Sequence, residues 1–322
     1  MPVRYTSPSL GGHREAFLPS GQWEVELSFR HMYADRWFIL DTLTPSNGSQ
    51  AAGGGPHRFN VQSLDISVAY GLSDRLSLRL TVPTATGSNS WVNFDGVRRT
   101  TRATGIGDIN LIGTLALWNP RVVTSGNISL SLGVKAPTGN DAINGPLGMP
   151  DGTVVQYPLP PGIQLGDGGW GIIVQADGYA RLAGNLSGYF FGAYQLSPRD
   201  TTGVPFLPVF ASHRSVPDAY DARVGLAYAV TSSLSASLGL RADGTPVHDL
   251  IGRSDGLRFA ARTILLDPGV SLHVGRGAFT VSVPVRIHGE FFRGAPLPPP
   301  DQPLDAGDLA NALVFASYAR RF

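Results

Sequence analysis

Apolar and polar residues alternate with a period of two over most of the chain, the pattern of strands with one face turned to an apolar phase. The alternation predicts twelve strands, near 22–32, 60–70, 75–83, 107–118, 126–137, 169–182, 185–196, 219–230, 233–242, 257–274, 278–290 and 310–322. The tenth holds Asp267-Pro268-Gly269 and is expected to bulge or change face there. The connections alternate as well. Gly71–Asp74, Asn119–Ser125, Ala183–Gly184, Thr231–Ser232 and Gly275–Gly277 are short and rich in turn residues. The stretches 33–59, 84–106, 138–168, 197–218, 243–256 and 291–309 are long. This predicts an all-β fold, an up-and-down antiparallel transmembrane β-barrel with its long loops at one end and its tight turns at the other. The even strand count brings both termini to the short-turn end.

The two rows of each strand differ in chemistry. Val25, Leu27 and Phe29 belong to one row and Glu24, Glu26 and Arg30 to the other. Leu64, Ile66 and Val68 alternate with Asp65 and Ser67, and Leu76, Leu78 and Leu80 with Ser77, Arg79 and Thr81. Leu130, Leu132 and Val134 alternate with Ser129, Ser131 and Lys135. In a membrane barrel the apolar row meets lipid and the polar row the lumen. The candidate lumen-lining residues are therefore Glu24, Glu26, Asp65, Arg79, Asp108, Lys135, Asp177, Arg181, Asp221, Arg223, Arg241 and Arg286. They either fill a narrow barrel with paired charges or form a polar path that selects a solute. An Arg or Lys on the lipid face at mid-bilayer would cost ~2–4 kcal/mol, so a slip in register is strongly opposed. Trp23, Tyr70, Tyr220 and Tyr318 stand near strand ends, where an aromatic girdle is expected.

Composition agrees with a membrane barrel. Charged residues are 15% of the 322, and mean hydropathy is +0.02. No apolar run approaches the ~18 residues a membrane helix needs, so a membrane protein of this sequence has to be a closed barrel. There is no cysteine, which excludes disulfides and thiolate chemistry. The net charge of +1, with basic residues spread along the chain, gives no nucleic-acid footprint. A soluble β-sandwich or propeller also alternates polar and apolar residues. It accounts neither for the ordered alternation of loop lengths nor for the last residue.

The chain ends ANALVFASYARRF, on Phe322. Counting back by twos gives Phe322, Arg320, Tyr318, Ala316, Val314 and Ala312, a mostly apolar row. Such an end resembles the C-terminal strand of bacterial outer-membrane proteins, which the β-barrel assembly machinery recognises. Tyr318 and Phe322 are the candidate assembly signal, and the expected surroundings are outer-membrane lipid and lipopolysaccharide. An outer-membrane destination calls for a signal peptide, and Met1–Ser20 contains no apolar segment of that kind. Residues 1–20 are assigned to a periplasmic segment and 21–322 to the barrel.

Three motifs appear in order. Tyr70-Gly71-Leu72-Ser73-Asp74-Arg75-Leu76-Ser77-Leu78 reads as a hairpin, Gly105-Ile106-Gly107-Asp108-Ile109-Asn110-Leu111 opens the fourth strand, and Ser129 to Asn140 (SLSLGVKAPTGN) closes the fifth. Together they resemble the family of outer-membrane transporters named after the meta-pathway of phenol degradation. The resemblance implies an outer-membrane barrel with a transport role for hydrophobic or aromatic compounds. From the residues alone, Gly105 and Gly107 let the chain re-enter the sheet, Asp108 projects into the lumen mouth, and Pro137-Thr138-Gly139 ends a strand.

Little points to chemistry. His273 and His288 have serines on neighbouring positions, but alternation places both inside, and there is no G-x-S-x-G elbow. The other histidines lack metal-ligand spacing, and no cofactor is expected. Trp37-Phe38-Ile39-Leu40 and Phe206-Leu207-Pro208-Val209-Phe210 either greet an apolar solute or pack loop on loop, and Pro296 to Pro303 reads as a stiff loop. The expected function is passive passage of small solutes, with a closed anchoring or secretion barrel and a lipase-type barrel as rivals.

Overall fold

The computed structural model describes residues 17–43, 57–205, 213–292 and 306–322. It is a closed antiparallel barrel of twelve strands. These are β1 (Trp23–Ala34), β2 (Arg58–Gly71), β3 (Leu76–Val92), β4 (Arg98–Ile106 and Ile109–Ala116), β5 (Gly126–Ala136) and β6 (Gly171–Ala183). They continue as β7 (Leu186–Leu196), β8 (Ala219–Ala229), β9 (Leu234–Thr245), β10 (Ala261–Val274), β11 (Gly277–Ser282 and Val285–Phe291) and β12 (Ala312–Arg321). Each strand pairs with the next, and β12 closes on β1 with Glu24 opposite Arg321 and Tyr33 opposite Ala312. Among the described residues no helix is long and apolar enough to cross a membrane; the crossing is made by strands.

The side-chain rows divide as their chemistry requires. Leu80, Leu130, Val224, Leu238 and Val281 stand exposed around the outside, Val224 at 58%. Ser67, Asp65, Ser129, Asp221, Asp267 and Ser271 point inward and are buried. A continuous apolar belt of this extent is stable only under lipid. Hydroxyls on facing positions pair across the inner wall, as in Ser67–Thr81 at 2.9 Å and Thr114–Ser131 at 2.9 Å. One inward aromatic exploits glycine. Tyr189 lies over Gly225 and Gly239, where an added Cβ would come within 2.5 and 2.6 Å of its hydroxyl oxygen. Trp23 stacks on Tyr70 at 4.6 Å and Phe279 on Tyr318 at 4.4 Å, both at the short-turn rim.

The tight turns use positive φ where they have to, at Gly184 (φ 51°) and Gly275 (φ 59°). Three expectations need correction. The stretch 84–106 is not a loop: β3 runs on to Val92 and pairs with Arg98–Ile106, making a tall hairpin beyond the belt. The tenth strand neither bulges nor changes face. Asp267 and Pro268 keep an unbroken register against Gly239 and Leu238. The irregularity falls on its neighbour, where β11 breaks at Val283-Pro284 and shifts register between Leu265–Arg286 and Ile264–His288, leaving Ile287 extra. Proline has no amide to donate, which accounts for the break. Finally, β10 begins at Ala261; Leu257 instead bridges to Arg214.

Candidate functional site: a charged lumen under an inward loop

The inner wall carries ion pairs at three levels. Near the short turns, Arg79 donates from Nη2 to Glu24 Oε1 at 2.8 Å and from Nη1 to Glu26 Oε2 at 2.6 Å, and Arg321 Nε reaches Glu24 Oε2 at 2.8 Å. One level further in, Arg30 Nη2 is 2.9 Å from Asp65 Oδ2. On the opposite wall, Arg241 pairs with Asp221 at 2.9 Å and Asp243 at 3.3 Å, and lies over the Phe315 ring at 4.8 Å. Arg223 pairs with Asp267. Asp65, Asp221 and Asp267 are 1% exposed and Arg241 2%, so these charges are packed against one another and away from solvent.

The third level sits at the loop end and ties a loop to the wall. Lys135 Nζ donates to Asp108 Oδ2 at 3.3 Å, to Gly169 O at 2.8 Å and to Asp167. Asp108 also accepts from the amides of Gly139 at 2.9 Å and Asp167 at 3.3 Å. Thr138 Oγ1 donates to Gly107 O at 2.9 Å and accepts from Ile109 N at 2.9 Å. The second and third sequence motifs are thus the two halves of one clasp, and Asp167-Gly168-Gly169 is its third part.

The loop held by that clasp folds inward. Between β5 and β6 the chain forms a small hairpin (Asn144–Gly148 with Val154–Pro158) and a 3-10 turn, Pro161–Ile163. Leu159, Ile163 and Leu165 then pack on Val61 and Ala103 of the barrel's inner face, beside Met32, Phe59 and Ala85. Ile163 seats on Gly87, where a Cβ would be 2.9 Å from its own Cβ. Between this apolar plug and Arg30 lies a small cavity of about 30 Å³, lined also by Ser63, Pro83 and Gln164.

Of the candidate lumen residues, Glu24, Glu26, Asp65, Arg79, Asp108, Lys135, Asp221, Arg223 and Arg241 stand in these networks. Asp177 is half-buried on the same inner row. Arg181 shares that row but is exposed at the short-turn rim. Arg286 donates to Ala310 O at 2.9 Å and Asn311 Oδ1 at 2.7 Å, and covers the Phe38 ring at 4.2 Å. The partners Asp167, Asp243, Asp267 and Arg321 were not singled out from sequence. Asp267 and Arg321 were within reach of the alternation; Asp167 follows a long loop and has no periodic signal.

His288 does not face the lumen. The bulge at Ile287 turns it outward, where its Nε2 is 3.8 Å from Glu290. Its partner across the ladder is Ile264, not a serine. Among the described residues no three His, Asp or Glu gather to hold a metal. Trp37–Ile39 extends as a strand against Ala306–Asp308, and Phe38 packs on Phe291 and Leu309. The cluster Phe206–Phe210, the proline stretch 296–303 and residues 1–16 lie outside the described residues.

No protein-family model matches the chain, and neither does any curated relative. Among solved structures, the COG4313 outer membrane channel from Pseudomonas putida F1 superposes with a TM-score of 0.65 at 17% identity, covering 95% of this chain and 97% of that one. The Ralstonia pickettii toluene transporter TbuX covers 95% of this chain and 90% of its own at 10% identity, with a TM-score of 0.49. The first likeness, end to end in both chains, shows a shared barrel fold.

Proposed function

We propose that this chain is a bacterial outer-membrane channel for passive uptake of small, mainly hydrophobic compounds, aromatic ones among them, and that it is not an enzyme. The observation that carries the reading is the inward loop. A barrel serving only as an anchor has no need of an apolar plug clasped over a lined cavity, whereas a selective channel needs a barrier of this kind. The motif resemblance to the phenol meta-pathway transporters and the end-to-end likeness to the P. putida outer membrane channel support it. In this reading the lumen row tunes what passes, Tyr318 and Phe322 address the chain to the assembly machinery, and lipopolysaccharide surrounds the loop end. Phe322 suits that role, since it is exposed at the rim while its amide donates to Trp23 O at 2.9 Å.

The test is initial uptake of labelled toluene by cells with an intact lipopolysaccharide leaflet. Cells expressing the protein should take it up faster than matched cells lacking it; equal rates, with the barrel shown to be assembled, would sink the proposal. The lipase alternative is met by assaying a chromogenic ester: hydrolysis that disappears in His288→Ala would support it.

A further inference from the structure

Beside the plug lies a second cleft, about 560 Å³ including its open mouth, among the long connections that follow β5, β7 and β9. Its walls mix the apolar residues Pro161, Pro217, Leu257 and Phe259 with polar and charged ones, Asp141, Asp167 and Arg258 among them. Set into them is Arg214, which is 4% exposed. Its Nη2 donates to Leu159 O at 2.5 Å. Among the described residues it makes no close ion pair, Asp141 acting on it only at longer range, and its Nε is buried without a hydrogen-bond partner. Beside it the Ser215 hydroxyl is also buried without a partner.

A buried guanidinium with no ion-pair contact is costly, and here only the longer-range attraction of the Asp141 carboxylate and of Tyr157 offsets it. The other neighbouring charges, Asp141 apart, are already committed. Arg258 forks onto Asp249 at 2.6 Å on both nitrogens, and Asp167 belongs to Lys135. Asp141 stands half-exposed on the rim of the cleft. Burial pulls Arg214 down to about 10, which leaves it charged at neutral pH. The backbone around it is fixed: Ser215 N donates to Leu257 O at 3.0 Å, and Leu257 N to His213 O at 2.9 Å. A preset cation and a free hydroxyl in a partly apolar cleft match a ligand with one anionic end and an apolar body.

We infer that this cleft is an entry site for a small aromatic carboxylate, its carboxyl group held by Arg214 and Ser215 and its ring by Phe259, Leu257 and Pro217. The site rests on the loop end being the side of entry, and it does not depend on conduction.

The experiment is calorimetric titration of the refolded full chain in detergent with benzoate, with benzamide as the uncharged isostere that reports partition into micelles. Benzoate should bind saturably and benzamide about tenfold more weakly or worse, the discrimination expected of a lost charge-assisted hydrogen bond. Arg214→Gln should weaken benzoate by about tenfold or more, and Ser215→Ala by a few-fold. If Arg214→Gln fails the heat-shift test of folding on a gel, Arg214→Lys replaces it; it keeps the charge, loses the fork, and should still bind clearly more weakly. Absence of saturable binding to the folded protein, equal affinity for benzamide, or a folded Arg214 variant that binds like the original would overturn the site. Toluene uptake is measured on the same variants. Lost benzoate binding with unchanged toluene uptake supports the site and leaves the channel standing. Intact benzoate binding without toluene uptake supports the site and removes the channel reading alone.

Discussion

Lys135 is the residue on which the clasp depends, because a single ammonium faces two buried carboxylates, Asp108 and Asp167. Replacing it with Met leaves both unpaired in a dry place, and breaking a buried pair from one side costs ~3–5 kcal/mol. Lys135→Met should therefore lower the midpoint of urea unfolding in refolded protein. Adding Asp108→Asn should return part of the loss, since a neutral amide is cheaper to bury than an orphaned carboxylate. A single variant as stable as the original would mean that the backbone bonds of Thr138 and Gly139 hold the clasp alone. A second residue-scale prediction concerns pH. His57 sits among Trp37, Trp91 and Phe59, with ring centroids 5.2, 5.4 and 6.4 Å away. Burial, with help from the Arg98 charge, pulls its imidazole down to about 4. Its neighbour Asp308, 3.6 Å away, is pushed up to about 8 by burial and by Asp35. The contact is therefore between two neutral groups at neutral pH, not an ion pair. The sign for His57 follows from linkage. Its folded value lies below the ordinary value, so the unfolded chain takes up the proton first, and stability is lost as pH falls from about 6.5 to about 4. Acidification through that window should change the fluorescence of Trp37 and Trp91, and His57→Phe should abolish that change.

At the scale of elements, the strands were legible because lipid outside and polar groups inside impose a strict period of two on every crossing. Each of the twelve expected strands has its counterpart in the barrel. The signal fails where that constraint stops. Thr84 to Val92 rises beyond the belt, loses its apolar row, and so reads as loop although it is strand. The bulge at Ile287 escaped for another reason: an extra residue shows only against its partner strand, and counting along β11 alone carries the wrong parity to His288. The clasp was half legible, since Asp108 and Pro137-Thr138-Gly139 stood out as motifs while Asp167 did not. Arg214 and Ser215 were invisible, because loop residues have no period and their chemistry depends on which loops meet. The face assignment has a direct test. Single Trp replacements at Leu78, Leu130 and Val283, all outward-facing, should each be strongly quenched by lipid-attached quenchers. Trp at Ser129, on the inner row, should be shielded. Protection of the outward positions would contradict the belt.

For the whole molecule, two barriers stand in series along the lumen. The upper one is the plug of Leu159, Ile163 and Leu165; the lower one is the set of buried ion pairs, with Arg30–Asp65 beneath the small cavity under the plug. If each barrier alone is enough to close the path, removing one should change single-channel conductance little while the other remains. Deleting residues 142–165 and closing the gap with glycines is expected to leave conductance in planar bilayers near that of the intact protein. The double replacement Arg30→Ser with Asp65→Ser, which avoids an orphaned charge, should by itself have a similarly small effect. The two changes together should raise conductance by more than the sum of the separate effects. A wide steady pore from the loop deletion alone would mean that the ion pairs part readily and that the plug is the gate. The same pore from the serine pair alone would make the plug permeable and leave the charge layer as the selective element.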